Sequence, residues 1–199
     1  HTITLELDTN LAAAIGGVTV DAATVTAAQT TLDNAPVVVP AGQAFTLTTG
    51  LDALSGNAGA NSFAATAATV AGATVSTLNA GDNLTGGDGT DSLTLSNTSA
   101  TAAFGAGVTT SSIENLAINA VTATTVDAAL MSGITGVANN GSLQAVSVTG
   151  LTAIPAVTVL ASSANTTVAM PTAVLGTNDE MTVNLNGVST TSGSTITAL

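Results

Sequence analysis

The sequence contains no lysine and no arginine, and its twelve Asp and Glu residues give a formal net charge of −12. Proteins bind the phosphates of nucleic acids mainly through Lys and Arg, and anionic membrane surfaces attract the same basic side chains. The composition therefore argues against both kinds of partner. It suits a protein whose counter-ions are divalent metal ions.

Cysteine, tryptophan and tyrosine are also absent, and the one histidine is His1. No disulfide can stabilise this chain. A Ser-His-Asp arrangement needs a positioned histidine, and most other nucleophiles, bases and oxyanion-stabilising groups are missing as well. Paired acids can hydrolyse glycosides, but the aromatic platforms that bind sugars are lacking. We therefore expect a protein that is not an enzyme.

Long apolar runs are missing too, since none reaches the roughly 18 residues that a membrane-spanning helix needs. The hydrophobic fraction of 45% comes mostly from Ala and Val. Small side chains of this kind fill narrow solenoid cores and tight sheet interfaces. We expect a chain that does not span a membrane, and because it begins at His1 rather than Met, we expect it to be a piece of a longer protein.

The most informative stretch that is present is Gly86–Thr94, with the sequence GGDGTDSLT. It fits G-G-x-G-x-D-x-U-x at every fixed position, which is the repeat of calcium-binding parallel β-rolls. Its glycines allow positive φ and bring backbone carbonyls close to an ion. Asp91 supplies the hard anionic oxygen that Ca²⁺ prefers. The motif predicts a turn, followed by a short strand that points Leu93 into the core.

A degenerate copy of the motif lies one period upstream. Asp82 precedes Asp91 by nine residues, and Leu84 precedes Leu93 by the same interval. The two copies are therefore in phase, as the two half-turns of one β-roll repeat would be.

A second block lies thirty residues earlier, where Asp52–Phe63 aligns without a gap on Asp82–Leu93. Asn61 stands in this block where Asp91 stands in the other. The alignment predicts that the two blocks stack, with Ala64–Ser76 as an insertion between them. The core positions of the stack would be taken by Leu54, Phe63, Leu84 and Leu93.

The acidic and glycine residues of these turns are candidate ligands for Ca²⁺. Neighbouring carboxylates repel one another until a divalent ion bridges them, and no basic side chain is available to do so. The alternative is that Asp, Asn and Gly form solvated β-turns, as they commonly do. The candidate ligands are Asp82, Asp88, Asp91, Asp52, Asn61, Gly86 and Gly89.

After residue 96 the sequence predicts further short strands separated by turns rich in Gly, Asn and Ser. No fixed period emerges there, so a continued solenoid and a β-sandwich both remain open. The whole chain is interpreted as all-β, with an N-terminal strand and linker segment (1–40), a β-roll segment (41–96) and a C-terminal β segment (97–199). The C-terminal strand candidates are Ser112–Ile118, Leu143–Val148, Ala156–Leu160, Thr166–Met170, Met181–Leu185 and Thr195–Leu199.

Several smaller features complete the sequence prediction. We expect a strand over His1–Leu7 and a third acidic turn, solvated, at Asn178–Glu180. Glu114 is expected to lie in a strand and to face solvent or another subunit. Two short helices are expected to be capped by Asp21 and Asp127, and the core is expected to include Met131, Met170 and Met181.

Four stretches together resemble a known family: LTTGLDALSGNAGANSF, GDNLTGGDGTDSLTL, VTTSSIENLAINA and VLGTNDEMTVNL. They are similar to calcium-dependent surface-layer (S-layer) proteins of Gram-negative bacteria and to RTX-type repeat adhesins. The resemblance implies a β-roll with Ca²⁺ between stacked turns, type I secretion, and metal-promoted assembly on the bacterial cell surface. Asn61 and Ala58 depart from the motif, since Asp91 and Asp88 hold the matching positions.

Two functions follow from these observations. The first is a structural extracellular protein that assembles with copies of itself into a layer, sheet or filament stabilised by Ca²⁺, with a cell-surface polysaccharide as a further partner. The second is a calcium-dependent RTX-type adhesin or another surface-binding module. A lattice protein orders on its own with Ca²⁺, whereas an adhesin stays monomeric and needs a ligand.

Overall fold

The computed structural model describes residues 38–100, 103–171, 174, 179–188 and 196–198, together with positions 23, 26, 27 and 30. The chain divides into two units, His1–Val39 and Pro40–Leu199. In the first unit, positions 23, 26, 27 and 30 are helical. The predicted strand His1–Leu7 and the predicted helix cap Asp21 lie outside the described residues.

The second unit is all-β, and most of its strands are short. Residues alternate between the core and the surface along them, as in β6, where Leu93 and Leu95 are fully buried between half-buried polar neighbours. The described strands are β1 (Ala44–Thr46), β2 (Ala53–Ser55), β3 (Ser62–Val70), β4 (Ala73–Ser76), β5 (Asn83–Thr85), β6 (Ser92–Asn97), β7 (Ala103–Phe104), β8 (Thr109–Ser111), β9 (Asn115–Ala120), β10 (Thr124–Asp127), β11 (Gly136–Asn140), β12 (Val146–Thr149), β13 (Ala156–Leu160), β14 (Thr166–Val168), β15 (Val183–Asn186) and β16 (Ile196–Ala198).

Apart from β4, these strands form three parallel sheets. Sheet A has the order β1-β3-β6-β9-β11-β13-β15, sheet B the order β2-β5-β8, and sheet C the order β16-β14-β12-β10-β7. The chain leaves sheet A, passes through sheet B, sheet C or both, and returns to sheet A beside its previous strand. We call each such passage a coil. Stacked parallel coils make a β-solenoid, so the predicted fold class is confirmed and the sandwich alternative is wrong.

The register of the first coils agrees with the thirty-residue alignment. Leu54 pairs with Leu84 and Phe63 pairs with Leu93. Phe63, Leu84 and Leu93 are at most 1% exposed, while Leu54 is partly buried and packs against the same core. Below them the rings of Phe45 and Phe63 stack with centroids 4.9 Å apart. Like side chains therefore lie on top of one another, which is how a narrow solenoid fills its interior.

The predicted insertion forms a β-hairpin. β4 runs antiparallel to the end of β3, with Ala67 opposite Ser76 and Val70 opposite Ala73. The two-residue turn between the strands has positive φ at Ala71 (50°) and at Gly72 (81°). Positive φ at both central residues is the signature of the type I′ turn, which suits the twist of a tight hairpin. We call residues 64–77 the hairpin segment.

Ala71→Gly is expected to stabilise the protein by up to about 1 kcal/mol, because a side chain in the left-handed region costs roughly that amount. The check is the free energy of unfolding from urea denaturation. Ala73→Gly, one residue into β4, is the matched control. It is expected to destabilise the protein, since glycine weakens a strand interior. Equal effects of the two substitutions would contradict this account of the turn.

Several C-terminal predictions are confirmed with shifted boundaries. β13 matches the predicted strand Ala156–Leu160, and β12 starts at Val146 rather than Leu143. Met131 and Met170 lie in the core, and Met181 packs against it. The C-terminal strands are short because tight turns interrupt each coil.

The predicted helix at Asp127 is wrong. This residue ends β10, and its Oδ1 accepts a hydrogen bond from the backbone N–H of Ala129 at 3.0 Å. It therefore caps a turn at the end of a strand. Asp179 and Glu180 are exposed, and Asn178 lies outside the described residues. The proposed boundary after residue 96 falls inside β6, and sheet A continues on both sides of it.

Candidate cation site

A row of polar side chains connects neighbouring coils where the chain enters sheet A. Asn61, Asp91 and Glu114 directly precede β3, β6 and β9, and we call them the A ladder. Each accepts a hydrogen bond from the backbone of the coil before it. Asn61 Oδ1 accepts from the N–H of Gln43 at 2.9 Å, Asp91 Oδ1 from the N–H of Asn61 at 2.5 Å, and Glu114 Oε2 from the N–H of Asp91 at 2.7 Å.

The amide nitrogen of Asn61 lies among four oxygen atoms. Nδ2 is 3.0 Å from the carbonyl of Asn57, 2.6 Å from that of Gly59, 2.9 Å from that of Gly86, and 2.9 Å from Asp91 Oδ1. An amide has two hydrogens to donate, so acceptors outnumber donors here. The oxygens form a cage between two coils, and a neutral N–H donor fills its centre.

The next coil repeats this geometry with a carboxylate. A Cβ built on Gly56 would lie 2.6 Å from Asn61 Nδ2 and 2.2 Å from the carbonyl oxygen of Gly86. A Cβ built on Gly86 would lie 2.3 Å from Asp91 Oδ2 and 1.7 Å from the carbonyl oxygen of Ser112. Asp91 Oδ2 therefore occupies the place that the Asn61 amide nitrogen occupies one coil earlier, and an acceptor replaces a donor.

This second cage lacks positive charge. Asp91 is 0% exposed, and its Oδ2 is one of two buried side-chain atoms without a hydrogen-bond partner in the described part of the chain, the other being Asn140 Oδ1. A second carboxylate contacts the same residue, since Glu114 Oε2 accepts a hydrogen bond from the Asp91 backbone N–H. A buried anionic oxygen without a partner is strongly unfavourable, and the sequence offers no Lys or Arg to pair with it.

The residues present fit a hard cation at this point. Ca²⁺ takes oxygen ligands from carboxylates, backbone carbonyls and water. Asp91 Oδ2, the carbonyl of Ser112 and the carboxylate of Glu114 are oxygens of these kinds. Among the described residues no three His, Cys, Asp or Glu side chains come together, so carbonyls and waters would complete the shell.

The other two buried acids lie on a different turn, where the chain enters sheet B. Asp52 Oδ2 accepts from the N–H of Thr48 at 2.8 Å, and its Oδ1 accepts from the Thr48 hydroxyl at 3.1 Å. Asp82 Oδ1 accepts from the N–H of Asp52 at 2.9 Å, and its Oδ2 accepts from that of Asn79 at 2.7 Å. Both carboxylates have donors on both oxygens. Their geometry is that of capped turns.

The motif residues around Asp91 have separate roles. Asp88 is exposed, and within the described residues Asp82, Asp88 and Asp91 do not form one metal-binding cluster. Gly89 has φ of +102°, as the motif predicts for its turn. Gly86 is buried and leaves no room for a Cβ, because the next coil passes directly against it.

Sequence reasoning missed the role of Glu114, which was expected to face solvent or another subunit. Glu114 is partly buried, and its carboxylate accepts a hydrogen bond from the Asp91 backbone N–H, a contact that the sequence did not predict. Its position directly before an alternating strand is the signal that matches it to Asn61 and Asp91.

The described part of the chain includes no helix long and apolar enough to cross a membrane. In comparisons with known proteins, no family model matches the chain, and no curated protein sequence matches it either.

Proposed function

We propose that this chain is a structural, extracellular segment that assembles with copies of itself into a bacterial surface layer, sheet or filament, and that Ca²⁺ stabilises its coils. The observation that carries the proposal is Asp91 Oδ2, a buried carboxylate oxygen without a donor in the cage between two coils of a β-solenoid. A structural role suits a fold made of stacked coils, each of which contacts mainly its neighbours.

In this proposal Asp91, Glu114 and the carbonyl of Ser112 hold the ion. The bound ion supplies the positive charge that lets two carboxylates lie side by side between coils. Asp91 directly precedes β6 and Glu114 directly precedes β9, so the two acids belong to successive coils and their attraction to one ion joins those coils. The stability of the stack is thereby linked to the metal concentration.

Assembly depends on the same ion for a second reason. Copies that each carry a net charge of −12 repel one another, and divalent cations reduce this repulsion. Extracellular Ca²⁺ modules bind in a range of about 10⁻⁴–10⁻³ M. Sites of that affinity stay empty at cytosolic Ca²⁺ and fill outside the cell, so ordered assembly would be confined to the exterior.

The test is electron microscopy with negative staining, combined with sedimentation, of the full chain in excess chelator, in millimolar Ca²⁺ and in millimolar Mg²⁺. We expect ordered sheets or filaments in Ca²⁺ and none in chelator. Mg²⁺ is expected to substitute poorly, because it demands a tighter octahedral shell and keeps its waters. A chain that stays monomeric in all three conditions would contradict the proposal and favour an adhesin.

A further inference from the structure

The hairpin segment leaves one strand edge open. β4 pairs with β3 and with no other described strand. In an antiparallel pair, residues alternate between those that exchange hydrogen bonds with the partner strand and those that do not. The N–H of Thr77 donates to the carbonyl of Thr66 at 2.9 Å, so residue 77 is hydrogen-bonded to β3. Counting back by twos along β4, Val75 and Ala73 are also hydrogen-bonded to β3. The backbone groups of Thr74 and Ser76 therefore face the open edge.

This edge is short, but it lacks the charged side chains, prolines and bulges that usually prevent pairing. Natural proteins shield edge strands with charged side chains, prolines or bulges. The hairpin segment, AATAATVAGATVST, contains no charged residue and no proline, and its two strands pair without a bulge. Ala73, Thr74 and Val75 are all exposed. Within the described part of the chain, nothing pairs with this edge of β4, so its backbone can accept another strand.

One face of the hairpin is also apolar. Val70 is 56% exposed and Val75 is 38% exposed. Their cross-strand neighbours are Ala73 and Ala68, and residues directly opposite each other point to the same face of a sheet. The four side chains form a continuous uncharged surface next to the open edge.

The charge distribution identifies the occupant. Two copies of a chain with net charge −12 and no basic residue repel wherever their carboxylates approach. The hairpin segment is a surface on which two copies can meet without such an approach, because its fourteen residues carry no charge. A strand edge that pairs antiparallel with itself is also self-complementary about a twofold axis.

We propose that the hairpin segment is a self-association surface, on which β4 strands of two copies pair antiparallel and join two hairpins into one four-stranded sheet. Thr74 lies near the twofold axis and exchanges backbone hydrogen bonds with its counterpart. Val75 of one copy then lies across from Ala73 of the other, which extends the apolar face over both hairpins. This surface deepens the proposed function, because it names a contact through which copies assemble.

The main test is Thr74→Pro in the full chain, measured by sedimentation equilibrium in excess chelator. Proline removes the N–H that faces the open edge and leaves the bonds of Ala73 and Val75 to β3 in place. We expect a concentration-dependent dimer for the parent and a dissociation constant raised by about tenfold or more for Thr74→Pro, from the loss of symmetric hydrogen bonds. Thr74→Val retains the N–H and is expected to dimerise like the parent.

A second pair of variants tests the same surface without proline. Val75→Glu places two like charges at diagonal cross-strand positions on the same apolar face of the dimer, within reach of each other for long side chains, and is expected to abolish the dimer. Leu143→Glu adds the same charge at another exposed apolar side chain, 58% exposed, and is expected to leave the dimer intact. A monomeric parent, or Thr74→Pro and Val75→Glu proteins that dimerise like the parent, would overturn the inference. Because chelator removes Ca²⁺, failure of the calcium-dependent lattice would leave this dimer unaffected.

Discussion

Asp91→Asn is expected to raise the melting temperature in excess chelator and to remove the response of that temperature to Ca²⁺. The substitution keeps Oδ1, which accepts from the N–H of Asn61. It replaces the unpartnered Oδ2 with an N–H donor in the place that Asn61 Nδ2 holds one coil earlier. The variant would therefore repeat the amide-filled cage, with the carbonyl of Ser112 as an acceptor.

The expected gain in the free energy of unfolding, without metal, is about 1–3 kcal/mol, the usual cost of an unsatisfied buried polar group. The parent is expected to gain stability with Ca²⁺ through binding to the folded form. The measurement is a thermal melt of each protein in excess chelator and in millimolar Ca²⁺. A parent that melts identically in both would contradict the calcium site at Asp91.

Asp82→Asn is the matched control, because it makes the same chemical change at the other fully buried Asp. Both Asp82 oxygens accept from backbone N–H groups, those of Asp52 and Asn79. After the substitution, the side-chain amide nitrogen at position 82 would face one of these backbone N–H donors, so one of the two hydrogen bonds would be lost. We expect Asp82→Asn to lower the melting temperature equally with and without Ca²⁺. If Asp91→Asn raises the melting temperature in chelator and Asp82→Asn lowers it, the two results distinguish a cation site at Asp91 from a capped turn at Asp82.

Gly86→Ala is expected to destabilise the protein by about 3 kcal/mol or more, which is the upper range for overpacking. The added Cβ would lie 1.7 Å from the carbonyl oxygen of Ser112 and 2.3 Å from Asp91 Oδ2. The first of these atoms belongs to the backbone of the next coil, so the coils would have to separate. The measurement is the free energy of unfolding from denaturant titration in millimolar Ca²⁺.

Gly50→Ala is the control for the glycine substitution. A Cβ on Gly50 would meet the hydroxyl of Thr48 at 3.6 Å, which is ordinary contact. Restricting the unfolded chain at such a site is neutral or stabilising by roughly 0.4–1 kcal/mol. If Gly86→Ala were as harmless as Gly50→Ala, the coils would not be packed as closely as the structure describes.

The motif predicted the early coils well because their turns repeat in sequence. Asp82 and Asp91 have the same place in the nonapeptide, yet only Asp91 has an oxygen without a donor. The difference comes from Asn79, whose backbone N–H donates a hydrogen bond to Asp82 Oδ2 within the turn that precedes β5. Periodicity identifies which residues begin a strand, but it does not say where the neighbouring N–H groups point.

The later coils lacked a period because their lengths vary. Core residues of sheet A follow one another at 23, 21 and 20 residues, from Leu93 to Leu116, Val137 and Val157. Each coil keeps the register of sheet A while its turns gain or lose residues. Glu114 lies at the first of these changes in coil length, so it falls outside the thirty-residue repeat.

The pairing of sheet A has a consequence for how the chain folds. Its core residues pair across only 18 to 30 residues, as from Phe45 to Phe63 and from Phe63 to Leu93. Pairing over such intervals loses less loop-closure entropy than pairing between distant parts of the chain. Any two neighbouring coils form a nucleus on which the next coil adds, so folding spreads along the stack. A chain pulled from one end would accordingly unravel coil by coil, with the remaining stack intact at every stage.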